Sequence, residues 1–352
     1  IFIFFFTENL MIGSIDFWNK EAKAPLLKRN AGMFSSKLKE MVPHINRAES
    51  WLDIALNPNN DIKQLNESGN EINCNNDSLI QLDQNIEINL VDHTDNPEID
   101  RIFKLDAERT FSDEENRIKM ITVLSTIYQE IKDYHQGLGF VVAFFLLQLT
   151  PEDTVRLALS LNRYYLPGYF KTAPFNYVRD AKVFEKLLMK RYPDAAKKIE
   201  ESACAEAFCS KWFVGLNVHV LPFPSLCKFF EILFEKGNLF LFQFGLSIVD
   251  VCREDILNAK DASQVLAILR LDEKVYHDLL EHKDFLGKEE ERAGSFFLHL
   301  VDNALDIEIT QDEVNNLREI VLEEMMQQEE KRKQIESQMN FDEDEIVFSD
   351  ED

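Results

Sequence analysis

The sequence predicts an all-α fold, and three observations carry that expectation. Apolar residues recur at helical spacing, as at Ile121, Leu124, Tyr128 and Ile131. Alternating apolar and polar runs of the kind that form half-buried strands are scarce. Only 11 Gly and 10 Pro are spread over 352 residues, too few for many tight hairpins. With 45% hydrophobic residues the chain can bury a sizeable core, at a length that suits one large domain or two smaller ones.

In chain order, residues 1–29 read as a leader. The chain opens on Ile, and Met11 is a candidate start that would leave residues 1–10 outside the native protein. Residues 11–52 are apolar-periodic with a break at Val42-Pro43, where Pro43 suits a helix start. Residues 55–98 are rich in Asn, which competes with helical hydrogen bonding, and read as a flexible insertion within a domain. A helix is expected from Glu114, capped by Asp113 or Ser112. Leu138–Gln148 is apolar all round and reads as a central buried helix. Amphipathic stretches follow at 151–165, 178–191, 194–210, 223–235, 239–257, 261–270 and 273–282, punctuated by Pro151, Pro167, Pro193, Pro222 and Pro224. A helical extension is expected over 271–309, then a polar helix over 310–340. The apolar positions of that helix (Val314, Leu317, Ile320 or Val321, Met325) fade after Met325. The remainder, 341–352, is acidic without a helical period and is expected to be a disordered tail.

The formal net charge of −25 repels phosphate backbones, which argues against nucleic acid as a partner. It is concentrated in two segments. Asp53 to Asp100 holds 11 acidic residues against Lys63, and Thr310 to Asp352 holds 15 against 4 basic ones. The rest is near neutral, leaving room for a local basic face. The five cysteines (Cys74, Cys204, Cys209, Cys227, Cys252) are odd in number and widely spaced, so they form no disulfide framework. Four of them lie among apolar residues and read as small buried hydrophobes in a reducing compartment. The longest apolar run, Leu138 to Leu147, is about half the ~20 residues a bilayer requires. Ile1–Phe6 lacks the basic flank and cleavage site of a signal peptide.

No phosphate-binding GxxxxGK[ST] or GxGxxG occurs. His277 and His282 are five positions apart, about 140° around a helix, and cannot share a metal. Three short constellations remain: Arg47-x-x-x-Trp51, Asp106-x-x-Arg109-Thr110-Phe111, and Tyr134-His135-Gln136-Gly137. Each has an ordinary explanation when taken alone. The first suits a stacked Arg–Trp pair, the second a surface ion pair, and the third a helix end with Gly137 at its C-terminal cap.

Together, in this order, they resemble the TBC-domain family of Rab GTPase activators, which carries R-x-x-x-W, I-x-x-D-x-x-R and Y-x-Q-G. The resemblance covers roughly residues 30–260 and continues through Trp212-Phe213, Leu221-Pro222 and Phe234-Glu235-Lys236-Gly237. Three departures stand out. Phe103 replaces the family's Ile, Gly139 stands where many members have Asn, and 27 positions separate Arg109 from Gln136, a short link for the family.

The resemblance implies a two-subdomain helical TBC domain over 30–270, with both key residues on the N-terminal subdomain. It gives Arg109 the role of an inserted guanidinium that neutralises charge on the transferring phosphoryl group, and Gln136 that of a carboxamide orienting the attacking water. Asp106, Tyr134, Gly137, Arg47, Trp51 and Thr110 become supporting residues. Of these, Asp106 would hold Arg109, Tyr134 would buttress the glutamine loop, and Gly137 would let the partner's backbone approach. Arg47 and Trp51 would order the floor of the site. The implied partner is a Rab-family GTPase in its GTP form, which brings GTP and Mg²⁺, so that this chain needs no cofactor and has no catalytic activity of its own. The alternative is a non-catalytic Rab-binding effector or scaffold. The implied place is cytoplasmic, peripheral on endomembranes, with membrane contact through the Rab or an adaptor.

Overall fold

The structure, a computed structural model, describes residues 47–58, 82, 87–111, 114–147, 149–221, 223–271 and 289–344. The leader, the Val42-Pro43 break, the Ser112 and Asp113 caps, Cys74 and the 273–282 stretch lie outside these residues. Among the described residues every regular element is helical.

The N-terminal group comprises α1 (Arg47–Leu56), α2 (Pro97–Thr110), α3 (Glu114–Ile131), α4 (Gln136–Leu146) and α5 (Pro151–Ser160), the last running into a π-helical turn, Leu161–Tyr165. Local chemistry sets their starts. The Asn96 side chain accepts from the Glu98 and Ile99 N–H groups at 3.0 and 3.5 Å, with Pro97 in the first turn of α2. Thr150 caps α5 in the same way, accepting from Asp153 N–H at 3.2 Å, again with Pro at the helix start. Helix α4 is the buried centre, its residues from Gly137 onward enclosed except for Phe140. It must be apolar all round because α2, α3 and α5 all pack on it.

The C-terminal group comprises α6 (Phe175–Arg191), α7 (Pro193–Glu200), α8 (Ala205–Cys209) with a second π-helical turn (Ser210–Val214), α9 (Phe223–Lys236), α10 (Leu239–Val251), α11 (Arg253–Asn258), α12 (Ala262–Leu269), α13 (Glu289–Asp306) and α14 (Gln311–Asp344). Two expected stretches divide: 194–210 into α7 and α8, and 239–257 into α10 and α11 at Cys252. Phenylalanines weld the two groups. Phe230 of α9 stacks on Phe144 of α4 at 5.2 Å, and Trp51 of α1 sits 5.9 Å from both Phe230 and Phe234.

Helix α14 lies along α6. Val314 and Val321 are fully buried, Leu317 and Met325 pack beside them, and Ile320 faces outward at 46% exposure. Arg318 of α14 meets Asp180 of α6 at 2.6 Å, and Asp180, with no exposed surface, also accepts from Arg179 and from the Tyr169 hydroxyl. Burial works to raise the Asp180 pKa; the two guanidinium groups outweigh it and hold the carboxyl at about 2.

Three expectations need correction. The Asn-rich segment is not a loose insertion throughout: Leu82 and Ile88 are buried, and Val91 N–H donates to Thr126 Oγ1 of α3 at 3.0 Å. Residues 55–56 complete α1, and residues 97–98 open α2. The acidic end is not aperiodic from Phe341, because α14 continues to Asp344. Among the cysteines, Cys209, Cys227 and Cys252 are buried, but Cys204 is exposed beside the start of α8.

Candidate functional site

The end of α2 and the start of α4 meet at one carboxylate. Asp106 lies one turn before Arg109 on α2, so both side chains share a helix face. The Asp106 side chain is 7% exposed and the Arg109 side chain 62% exposed, with Arg109 Nη1 3.4 Å from Asp106 Oδ1. Thr110 Oγ1 donates back to the Asp106 carbonyl at 2.6 Å, which holds the last turn. Buried Phe111 then ends α2, and its carbonyl accepts from Arg117 Nε at 2.7 Å.

The second arm is the four-residue turn Lys132–His135 between α3 and α4. Lys132 has φ 54°, a left-handed conformation that a side chain disfavours. The Tyr134 hydroxyl donates to Asp106 Oδ2 at 2.9 Å, and Gln136 Nε2 donates to Asp106 Oδ1 at 3.3 Å. One carboxylate thus receives the arginine, the tyrosine and the glutamine. Burial, reinforced by the Asp106 charge, pushes the Tyr134 phenol well above its usual range, so it stays a donor. Phe103 fills the space behind the Tyr134 ring, edge-on at 4.9 Å.

Gln136 is the first residue of α4 and is exposed. The Tyr-x-Gln-Gly run therefore opens a helix rather than closing one. His135 is the cap: its Nδ1 accepts from Gly137 N–H at 3.0 Å, which requires a neutral ring. Burial lowers the His135 pKa, with Asp133 acting in opposition. Asp133 Oδ1 accepts from Tyr134 N–H at 2.8 Å, Thr172 N–H at 3.1 Å and Thr172 Oγ1 at 2.6 Å. Burial works to raise the Asp133 pKa; the Thr172 hydroxyl, the two backbone donors and Lys171 outweigh it and leave the carboxyl below its usual value.

The glycines at the start of α4 serve the interior. A Cβ on Gly137 would lie 2.6 Å from Val214 Cγ1 and 3.0 Å from the Val214 carbonyl, so its bareness lets α4 approach the Ser210–Val214 turn. A Cβ on Gly139 would lie 2.4 Å from the Tyr134 hydroxyl, so the residue that departs from the family pattern gives that hydroxyl its place. Beside Gln136 opens a recess of about 210 Å³, lined by His135, Phe140, Lys211, Val214 and His219 among others. The His219 ring stands edge-on to Phe140 at 4.1 Å, and burial, then Lys211, lowers its pKa to about 4.

The structure therefore gathers Asp106, Arg109, Thr110, Tyr134, Gln136 and Gly137 in one place. Trp51 lies apart. It is 1% exposed in the phenylalanine cluster, against Phe144 and Phe145 at the far end of α4. These two rings lie about two helical turns along α4 from Gln136. Arg47 opens α1, and its side chain lies outside the described residues. Sequence reasoning missed Asp133 and Thr172, which are 39 positions apart and form no local pattern. It noted Gly139 only as a departure.

The family model of the Rab-GTPase-TBC domain matches residues 47–257. Carabin of Mus musculus is 28% covered by the match, with 29% identity over 125 residues, 35% of this chain. GTPase-activating protein gyp2 of Schizosaccharomyces pombe is 28% identical over 156 residues, 44% of this chain and 22% of the relative. Growth hormone-regulated TBC protein 1-A of Danio rerio is 23% identical over 189 residues, 50% of this chain and 53% of the relative. The chain spans from 15% to about half of the length of the curated relatives it matches. A solved structure of a Chlamydomonas flagellar RabGAP TBC domain aligns with a TM-score of 0.48 and 15% identity, over 80% of this chain and 89% of that one.

Proposed function

This chain belongs to the Rab-GTPase-TBC domain family, and from that premise we propose that it activates GTP hydrolysis by a Rab-type GTPase in vesicle traffic, supplying Arg109 and Gln136 in trans. The observation that carries the proposal is the shared carboxylate: Asp106 Oδ1 meets both Arg109 and Gln136, at 3.4 and 3.3 Å. Phosphoryl transfer is accelerated chiefly by positioning and charge neutralisation, so two pre-placed side chains are the relevant equipment.

Arg109 suits the first role because its guanidinium is always charged and its planar donors fit phosphate oxygens. The Arg109 side chain is 62% exposed and meets Asp106 Oδ1 only at a long 3.4 Å, and Asp106 keeps Tyr134 and Gln136 as donors when the arginine leaves, so the side chain can swing onto a phosphate. Gln136 suits the second role because a carboxamide accepts from water through its oxygen while donating through its nitrogen. The partner brings GTP and Mg²⁺. No described helix is long and apolar enough to cross a membrane, and membrane contact in this reading comes through the GTPase or an adaptor.

The test is phosphate release from a panel of purified GTP-loaded Rab proteins, with the wild-type chain, Arg109→Ala and Gln136→Ala. Stimulation of at least one Rab, lost in both variants, supports the proposal. Binding of a GTP-loaded Rab without stimulation would leave a non-catalytic binder instead.

A further inference from the structure

The glutamine arm is held from a part of the chain to which neither the motifs nor the family pattern points. The turn Lys132–His135 is four residues long, one of them in a disfavoured left-handed conformation, and its ends are tied to the flanking helices by Lys132 N–H to the Tyr128 carbonyl and Leu138 N–H to the His135 carbonyl, each at 2.9 Å. Two ties from the segment after α5 fasten it. At the end of α3, Glu130 Oε1 accepts from Arg163 Nε at 2.7 Å. Within the turn, Asp133 Oδ1 takes both the Thr172 N–H and the Thr172 hydroxyl, at 3.1 and 2.6 Å, while also receiving Tyr134 N–H. The residue adjoining Asp133 is Tyr134, which bonds to Asp106, and three positions on is Gln136. Any relaxation of Asp133 therefore moves the carboxamide that has to meet a water and a phosphate.

We propose that Asp133 and Thr172 form a clasp that positions Gln136 for the GTPase reaction. Neither is a catalytic residue; both act through the glutamine, and the inference rests on the role proposed above for Gln136. The backbone N–H of Thr172 fixes where the loop must sit, and its hydroxyl supplies the shorter bond. An Asn at 133 keeps an oxygen that accepts these donors, and a Ser at 172 keeps the hydroxyl. An Ala or a Val does not.

The experiment is single-turnover and steady-state GTP hydrolysis on the best Rab, with binding of the GTP-loaded Rab measured alongside. Asp133→Ala and Thr172→Val are expected to lower kcat by about 10- to 100-fold, the scale of a misplacement of about 1 Å, with little change in KM. Asp133→Asn and Thr172→Ser should restore most of the rate. Binding of the GTP-loaded Rab should stay at the wild-type level in both Asp133→Ala and Thr172→Val. A fall in Rab binding that matches the loss of rate would overturn the clasp and make Asp133 a general structural residue. Unchanged kcat in both folded single variants would also overturn it. If Gln136→Ala alone left hydrolysis at the wild-type rate, the glutamine role would fall, and the clasp with it. Thr172→Val supplies the same reading should Asp133→Ala fail to fold.

Discussion

Gln136 donates to Asp106 across 30 positions of sequence at 3.3 Å, on the same oxygen that Arg109 meets. The two side chains proposed to act on one phosphoryl group are thus referenced to a single, nearly buried atom. A change in either helix end is felt by both.

Arg109→Ala is expected to lower the stimulated rate by about 10³- to 10⁵-fold, the usual contribution of an inserted arginine. Arg109→Lys should fail nearly as badly, because an ammonium cannot reproduce the planar fork. Phosphate release from the best Rab measures both, and a Lys variant as active as wild type would remove Arg109 from this role.

A Rab whose own catalytic glutamine is changed to leucine should still respond to the wild-type chain, since Gln136 would take over the water. It should not respond to Gln136→Ala. An unresponsive Rab variant that still binds normally in its GTP form would point to a mechanism carried by the arginine alone.

Gly137→Ala is expected to destabilise the fold by about 1–3 kcal/mol, the range for forcing atoms into a packed interior. Its added methyl would meet the Val214 backbone carbonyl at 3.0 Å, which cannot turn aside as a side chain can. Urea unfolding measures the loss; wild-type stability would mean that α4 and the Ser210–Val214 turn separate easily.

Stability should fall as pH drops below the ordinary histidine value of 6.5. His135 and His219 both have lowered pKa values in the fold, His219 at about 4, so the unfolded chain takes up protons first. The contribution is complete above pH 6.5 and is lost as pH falls through the folded values. His135→Asn keeps a side-chain cap that does not titrate and should flatten part of the slope, as read by melting temperature between pH 7.5 and 4.5. An unchanged slope would exclude His135 from the effect.

Arg318→Ala should cost on the order of 3 kcal/mol, because it withdraws one partner from the fully buried Asp180. It should also loosen α14, whose other ties to α6, such as Lys186–Glu324 and Lys190–Glu313, are exposed. Limited proteolysis within 311–344 at wild-type levels would show that the apolar stripe alone seats the helix.

The legible parts of this molecule are those whose information is local. The apolar period of α3 and the all-round apolar character of α4 follow from neighbours within a few turns, because a helix presents i, i+3 and i+4 together. The relation of Asp106 to Arg109 is legible for the same reason. The start of α4 at Gln136 was not, since its cap is a histidine, outside the usual Ser, Thr, Asp and Asn signals. On α14, spacing left Ile320 and Val321 as alternatives, and packing against α6 chose Val321. Asn content suggested a loose segment around Ile88, yet burial against α3 outweighs local propensity there. Partners 30, 39 or 138 positions apart leave no periodic trace, so Asp106 with Gln136, Asp133 with Thr172 and Asp180 with Arg318 come together only when the helices pack.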